Sequence, residues 1–356
     1  MVLVLSETDI AGIMSMRDGV RVVEEALAQH YLGGGVVLPR TSVDVPGDGG
    51  AFRVMSAIVP EMGFFGLKTL TGYPGRRLAG ETYFAILLFS CDTGALRAIV
   101  AGNRLTGIRT GAATGVAAKF LSRPESRVLG IIGSGVQARY QVAALKEVRP
   151  LTEVRIFDTV SAKAETFARE IELDFEVAAR AMGSAEEAVR GCDLVVTVTA
   201  SKTPVLDGRW LSAGTHLSGV GSNAPNKREL DATSFQRSKI VVDFRDQALQ
   251  EAGDLQEALR TGAISSDAIY AELGEVITGN KAPRENDRDI TLFKSVGMAT
   301  EDIATATFAY QQAIAAGIGT HIELDGAGMP AMPHVAFLPG RERGPGIGRV
   351  PAAARP

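Results

Sequence analysis

One short run holds the most specific chemistry in this sequence. Gly133-Ser134-Gly135-Val136-Gln137-Ala138 reads G-x-G-x-x-A. It directly follows the apolar stretch VLGII (128–132) and opens a helical pattern near 137–147. In that setting the first glycine permits a tight turn and the second lets backbone approach a pyrophosphate. The alanine lets helix and strand pack closely, and the helix N-terminus offers N–H donors and partial positive charge to phosphates. Asp158 closes the next strand, VRIFD (154–158), 25 residues after Gly133, where a carboxylate accepts from the adenosine ribose hydroxyls. The residues after it, Thr159-Val160-Ser161, include no cation for a 2′-phosphate, so the spacing predicts NAD rather than NADP. Thr199, ending the strand LVVTVT (194–199), is a candidate to border the same cofactor.

The elements that must position these groups fall into two styles. Residues 20–31 carry Val20, Val23, Leu27 and Tyr31 at helical steps, stopped by Gly33-Gly34-Gly35. Strand patterns follow at 41–45, 52–59 and 64–71, then a hairpin from 82–89 to 95–101. Asn103 is placed to cap a helix to about 120 that is crowded with Gly107, Gly111 and Gly115. Helical glycine costs about 1 kcal/mol relative to alanine, so another element is expected to press against it. From Arg127 strand and helix alternate, with a short strand at 175–178, a capping box of Ser184 and Glu187, and buried strands at 194–199, 216–220 and 240–244. The predicted class is α/β: a Rossmann-type doubly wound parallel sheet over 121–302. A discontinuous α+β substrate and dimerisation domain accompanies it, made of 1–120 and completed by 303–330. Residues 340–356 are Pro, Gly and Arg without apolar period and are expected to be disordered.

Composition narrows the partners. The chain has 356 residues, enough for two domains, with 37 Lys and Arg against 41 Asp and Glu. A net charge of -4 argues against a nucleic-acid footprint. Cys91 and Cys192 are too few for a disulfide framework, and they and the four histidines are too scattered for a metal site. The uncharged stretch 303–322 contains Gln311, Gln312 and His321 and is too polar to cross a bilayer. The first residues lack the basic region of a signal peptide, and a cytoplasmic protein is expected.

Six ordered blocks together resemble the ornithine cyclodeaminase/mu-crystallin family. They are GLKTLTGYPG (66–75), RLTGIRTGAATGVAAKFL (104–121), GSGVQA (133–138), GTHLSGVGSNAPNKRELD (214–231), AELGEVITG (271–279) and DITLFKSVGMATED (289–302). The resemblance covers roughly residues 5–325. It implies a homodimer, with substrate and subunit contacts on the discontinuous domain, and a small amino- or imino-acid substrate. It also implies that Arg40, Lys68 and Arg109 converge on the substrate's α-carboxylate. That role suits the planar fork of a guanidinium and a desolvated lysine able to exchange a proton near neutral pH. Cofactor contacts are implied for Thr82, Arg109, Val220, Gly221, Ser222, Lys294 and Ser295, and a substrate contact for Val296. His216 reads as a satisfied core histidine.

Two positions depart from the cyclodeaminase pattern. Where cyclodeaminases and alanine dehydrogenases of the family carry Asp, this chain has Asn223, an amide that orients a water or an imine but accepts no proton at neutral pH. The nearest substitute, Asp231, is expected to cap a helix or face solvent. Arg53 stands where the ornithine enzyme has Glu; either it faces outward or it lines the pocket, and there a cation repels a distal ammonium. Both departures favour an NAD(H)-dependent oxidoreductase acting on the C–N bond of a small α-imino or α-amino acid. Lys68 is then the acid–base group and Asn223 orients the imine. The rivals are a cyclodeaminase that recycles its NAD internally and a non-catalytic nucleotide-binding protein of the mu-crystallin kind.

Overall fold

The computed structural model describes residues 1–46, 50–72 and 83–324; Thr82 and the segments 325–330 and 340–356 named above lie outside the described residues. The chain begins with β1 (Val2–Leu5), α1 (Glu7–Ile13) and α2 (Met16–Gln29). Next come β2 (Val36–Val37), β3 (Thr41–Val45), β4 (Gly50–Val59), β5 (Phe64–Gly72), β6 (Tyr83–Ser90), β7 (Leu96–Ala101) and the long α3 (Asn103–Leu121). Alternation then sets in with β8 (Val128–Ile132), α4 (Val136–Val148), β9 (Glu153–Phe157), α5 (Ser161–Phe175), β10 (Ala178–Ala181), α6 (Ala185–Val189) and β11 (Leu194–Thr197). It continues with β12 (His216–Gly219), α7 (Ala232–Gln236), β13 (Lys239–Val242), α8 (Arg245–Glu251), α9 (Gly253–Arg260), β14 (Ile269–Glu272), α10 (Leu273–Ile277) and β15 (Thr291–Lys294). The chain then returns through α11 (Ala299–Ala316) to β16 (Thr320–Ile322).

The strands form two sheets. The first runs β16-β1-β7-β6-β5-β4-β2, with β3 also on β4, and β4 to β7 are antiparallel. Alternation along these strands sends Met55, Ala57, Val59, Ile86, Leu88, Ala98 and Val100 inward against Ile303, Ala306, Ala309 and Ala313 of α11 and Leu105 and Ile108 of α3. The second sheet, β10-β9-β8-β11-β12-β15-β13-β14, is parallel throughout. Helices cover both of its faces, so β11, β12 and β15 are buried at every residue and the period-2 signal vanishes. Its order reverses between β8 and β11, the crevice where doubly wound sheets bind dinucleotides. The expected fold class is the one found.

Local details differ from the sequence reading. Phe175 ends α5, and the strand placed at 175–178 is instead Ala178–Ala181. Gly102, not Asn103, is the N-cap of α3; the Asn103 side chain accepts from Phe84 N–H at 3.0 Å. The free N–H groups of Asn103 and Arg104 go instead to the Glu7 carboxylate at 2.8 and 2.9 Å, a cap supplied from far away in sequence. Ser184 accepts from Glu187 N–H, but the Glu187 carboxylate accepts from Gly183 rather than closing the box on Ser184. The element pressing on the glycines of α3 is α4. A Cβ on Gly111 would sit 2.3 Å from the Tyr140 carbonyl oxygen, and one on Gly107 2.3 Å from the Tyr140 ring. At the end of α3, Arg149 donates to the carbonyls of Ala118, Lys119 and Ser122, holding the crossing between the sheets.

Candidate active site

The glycine loop sits at the crevice. Gly133 adopts φ +104°, and a Cβ there would lie 2.7 Å from the Val198 carbonyl oxygen, so only glycine fits. Gly135 is the N-cap of α4 and gives it no side-chain cap, leaving first-turn N–H groups for an anion, while Ala138 is fully buried. Gln137 has a buried side-chain oxygen without a donor. A cleft of about 530 Å³ opens beside the loop, lined by Ser134, Gly135, Val136, Arg139, Lys163 and Thr166 among others. Asp158 lies where β9 ends. Its carboxylate accepts from Ser134 N–H at 3.0 Å, Ser134 Oγ at 2.7 Å and Val160 N–H at 3.0 Å. Burial pushes this carboxyl up, but those hydrogen bonds outweigh it and hold it below its ordinary value.

The other strand ends are tied by buried acids. Glu229 accepts from Thr197 Oγ1, Thr199 N–H and Gly221 N–H, joining the ends of β11 and β12 beside the buried Val220. Lys294 donates to the Gly219 carbonyl at 3.1 Å and lies 3.5 Å from Asp254. Ser222 Oγ donates to the Lys227 carbonyl, and Lys227 Nζ to the Asn223 side-chain oxygen at 2.9 Å.

Register places the catalytic candidates. Lys68 on β5 stands opposite Met55 on β4 and Ile86 on β6, on the inward face, and is 1% exposed. Arg53 shares that face at the Leu70 position and is half-buried. Lys68 Nζ donates to Asp302 Oδ1 at 2.6 Å, and Arg109 Nε donates to the same oxygen at 3.0 Å. Arg109 Nη1 reaches Glu301 at 2.9 Å. Arg40 Nη2 donates to the carbonyls of Val296 and Gly297 at 2.8 and 3.1 Å, and Nη1 pairs with Glu251 at 3.1 Å. The Asp243 carboxylate accepts from Ser295 Oγ and from the N–H groups of Val296 and Gly297. Residues 294–302 therefore form one strap from the parallel sheet to α11, touching each cation in turn. Gly297 in it has φ +80°, and a Cβ there would lie 2.3 Å from Arg109 Nη1. Burial, then Arg109 and Arg40, bring the Lys68 amine down to about 7, with Asp302 pulling the other way. Burial also lifts Glu301 to about 7 against the pull of Arg109.

The structure thus brings Lys68, Arg109, Arg40 and Val296 together through the strap. Asn223 is bound to Lys227 and makes no hydrogen bond to Lys68 or Arg109. Lys227 lies near enough to Arg53 and Arg40 that, after burial, their repulsion lowers its pKa. The sequence reading did not single out Glu301, Asp302, Asp243, Glu251, Glu229, Asp254 or Lys227. A signal existed for two of them: Glu301-Asp302 stands at the head of the uncharged stretch 303–322, in a helix otherwise free of acids. His216 is the core histidine expected, with Nδ1 2.9 Å from Thr291 Oγ1 and Nε2 3.1 Å from Ser218 Oγ.

Residues 1–317 match the family described as ornithine cyclodeaminase/mu-crystallin. The chain belongs to this family. Among its relatives, the alanine dehydrogenase of Archaeoglobus fulgidus is 36% identical over 323 residues, covering 90% of this chain and 98% of the relative. Two solved structures of the same family superpose over nearly their full length. Thermococcus litoralis Delta(1)-pyrroline-2-carboxylate reductase, in complex with NADH and L-proline, gives TM-score 0.87 at 37% identity, covering 90% of this chain and 100% of that one. An archaeal alanine dehydrogenase dimer with bound NAD gives 0.86 at 35% identity, covering 91% and 99%.

Proposed function

We propose that this family member is an NAD(H)-dependent oxidoreductase acting on the C–N bond of a small α-imino or α-amino acid. The observation that carries it is the buried meeting of Lys68 and Arg109 on Asp302, joined by the strap to the C-terminal ends of a nucleotide-binding sheet. The residues present fit the cofactor. Gly133 makes the tight turn against Val198, Gly135 leaves open space for a pyrophosphate, the uncapped start of α4 supplies donors, and Asp158 offers a carboxylate for ribose hydroxyls. Once bound, the dinucleotide supplies or accepts a hydride.

The chain's own residues do the rest. Lys68, titrating near neutrality, gives a proton to the imine nitrogen in reduction and takes it back in oxidation. Arg109 and Arg40 are spent largely on acids and carbonyls. Their remaining N–H groups and the half-buried Arg53 supply the positive surface for the substrate carboxylate. Asn223, held by Lys227, orients polar atoms without taking a proton. The relatives' substrates suggest a first panel: Δ1-pyrroline-2-carboxylate, and pyruvate with ammonium. A Lys68→Ala variant should lose at least about a hundredfold in turnover while binding NADH normally; wild-type turnover from it would end the mechanism. Ammonia release from ornithine without NADH accumulation would favour the cyclodeaminase instead.

The same reading includes a homodimer in the cytoplasm. The outer face of the first sheet carries the exposed side chains of Val43, Phe52, Ile58 and Tyr83 beside the stacked rings of Phe65 and Phe89, an apolar surface suited to a second copy. Both cysteines are free, as suits a reducing compartment, and no helix of the described residues is long and apolar enough to cross a membrane.

A further inference from the structure

Asp302 is a fully buried carboxylate on the first turn of α11, where the helix N-terminus favours negative charge. One of its oxygens, Oδ1, is shared between Lys68 Nζ at 2.6 Å and Arg109 Nε at 3.0 Å. The other has no hydrogen-bond donor from the protein, so nothing else in the fold competes for the carboxylate. The surroundings of Lys68 are otherwise unfriendly to its charge. Arg109 approaches from α3 and Arg40 from the segment before β3, with Arg53 farther along the same face of β4, while Glu301 is taken by Arg109 and Glu251 by Arg40. From β6 come only apolar groups, Ile86 directly opposite and the Phe84 ring 5.7 Å from Nζ. Among the described residues, Asp302 alone sets a negative charge directly on this amine.

We propose that Asp302 is the positioning residue of the reaction: it keeps the Lys68 ammonium charged and aimed, and through Oδ1 fixes Arg109 in the same plane. The proposal rests on the oxidoreductase reading above. Without Asp302 the amine faces the Arg109 and Arg40 guanidinium groups and a dry interior, loses its proton at lower pH, and is no longer held to one rotamer.

The test uses full-length protein and two readouts. One is the titration of Lys68 followed by NMR of the 15N-lysine-labelled apoprotein, assigned with Lys68→Met. The other is the pH profile of kcat for NADH-dependent reduction of Δ1-pyrroline-2-carboxylate. In Asp302→Asn, nearly the same size, the Lys68 midpoint should fall by about one pH unit or more. The alkaline limb of kcat should fall with it, and affinity for NADH should stay within about twofold because the carboxylate is outside the nucleotide loop. Asp302→Glu keeps the charge and changes the reach. Its midpoint should stay within about half a unit of wild type while kcat drops about tenfold or more, and it carries the test if the Asn variant does not fold. An unchanged midpoint and profile in Asp302→Asn, or a Glu variant whose midpoint falls by a full unit, would overturn the assignment. A shifted midpoint in a protein that reduces no imine would instead overturn the reading on which it rests.

Discussion

At the scale of single residues, the site and the strand ends around it set charge where water is not. Lys68, Arg109, Lys294, Glu229, Asp254, Glu301 and Asp302 are all buried, and each is paired with an opposite charge or held by several hydrogen bonds. His216 shows the other solution, a titratable group kept neutral. Burial, with Arg284 and Arg149 nearby, brings its imidazole down to about 3, whereas the unfolded chain titrates near 6.5. Between those values the unfolded chain binds the extra proton, so the contribution to stability is complete above the unfolded value and is lost as pH falls toward 3. At pH 5 the loss should reach about 2 kcal/mol. Urea titrations at pH 7.5 and 5 should show it in the wild type, and His216→Gln should remove that share of the pH dependence. Lys68 and Arg109 could be named because they sit inside sequence blocks, and Arg40 only through the family resemblance. Of their acids only Glu301 and Asp302 left a trace, at the head of an uncharged stretch; a carboxylate such as Asp243 or Glu251 has no signature of its own until folding sets it in place.

Elements explain which parts of the fold were readable. The parallel strands showed as apolar runs and the glycine loop as a motif, because both are local in sequence. Caps that arrive from a distance were invisible: Glu7 closing the start of α3, and Arg149 its end. The crowding of glycines in α3 was legible as a demand for close approach, though not as the identity of α4. That contact joins the two halves of the molecule and leaves little slack. Gly111→Ala must displace the Tyr140 carbonyl, which is backbone and cannot swing aside, and should cost about 1–3 kcal/mol in denaturant midpoint analysis. Gly12→Ala is the control: it lies in α1 with open space around its Cβ position, and should be neutral or up to about 1 kcal/mol stabilising.

For the whole molecule the proposed dimer face makes the clearest demand. Replacing Phe65 and Phe89 by Asp on the outer face should give monomers by light scattering, with the inward row of Met55, Ile86 and Leu88 untouched; dimers that persist would move the interface elsewhere. The strap of residues 294–302 has a consequence for synthesis as well. Lys68 and Arg109 leave the ribosome long before residue 302 exists, and the inner face of the sheet that carries Lys68 is covered by the same helix, α11. Until then a half-made sheet holds two interior cations with no counter-charge, a state that hydration favours over closure. The parallel sheet, whose strands all lie between 128 and 294, has no such wait. Vectorial folding should therefore run from the middle outward, with the opening residues held open until the final helix arrives.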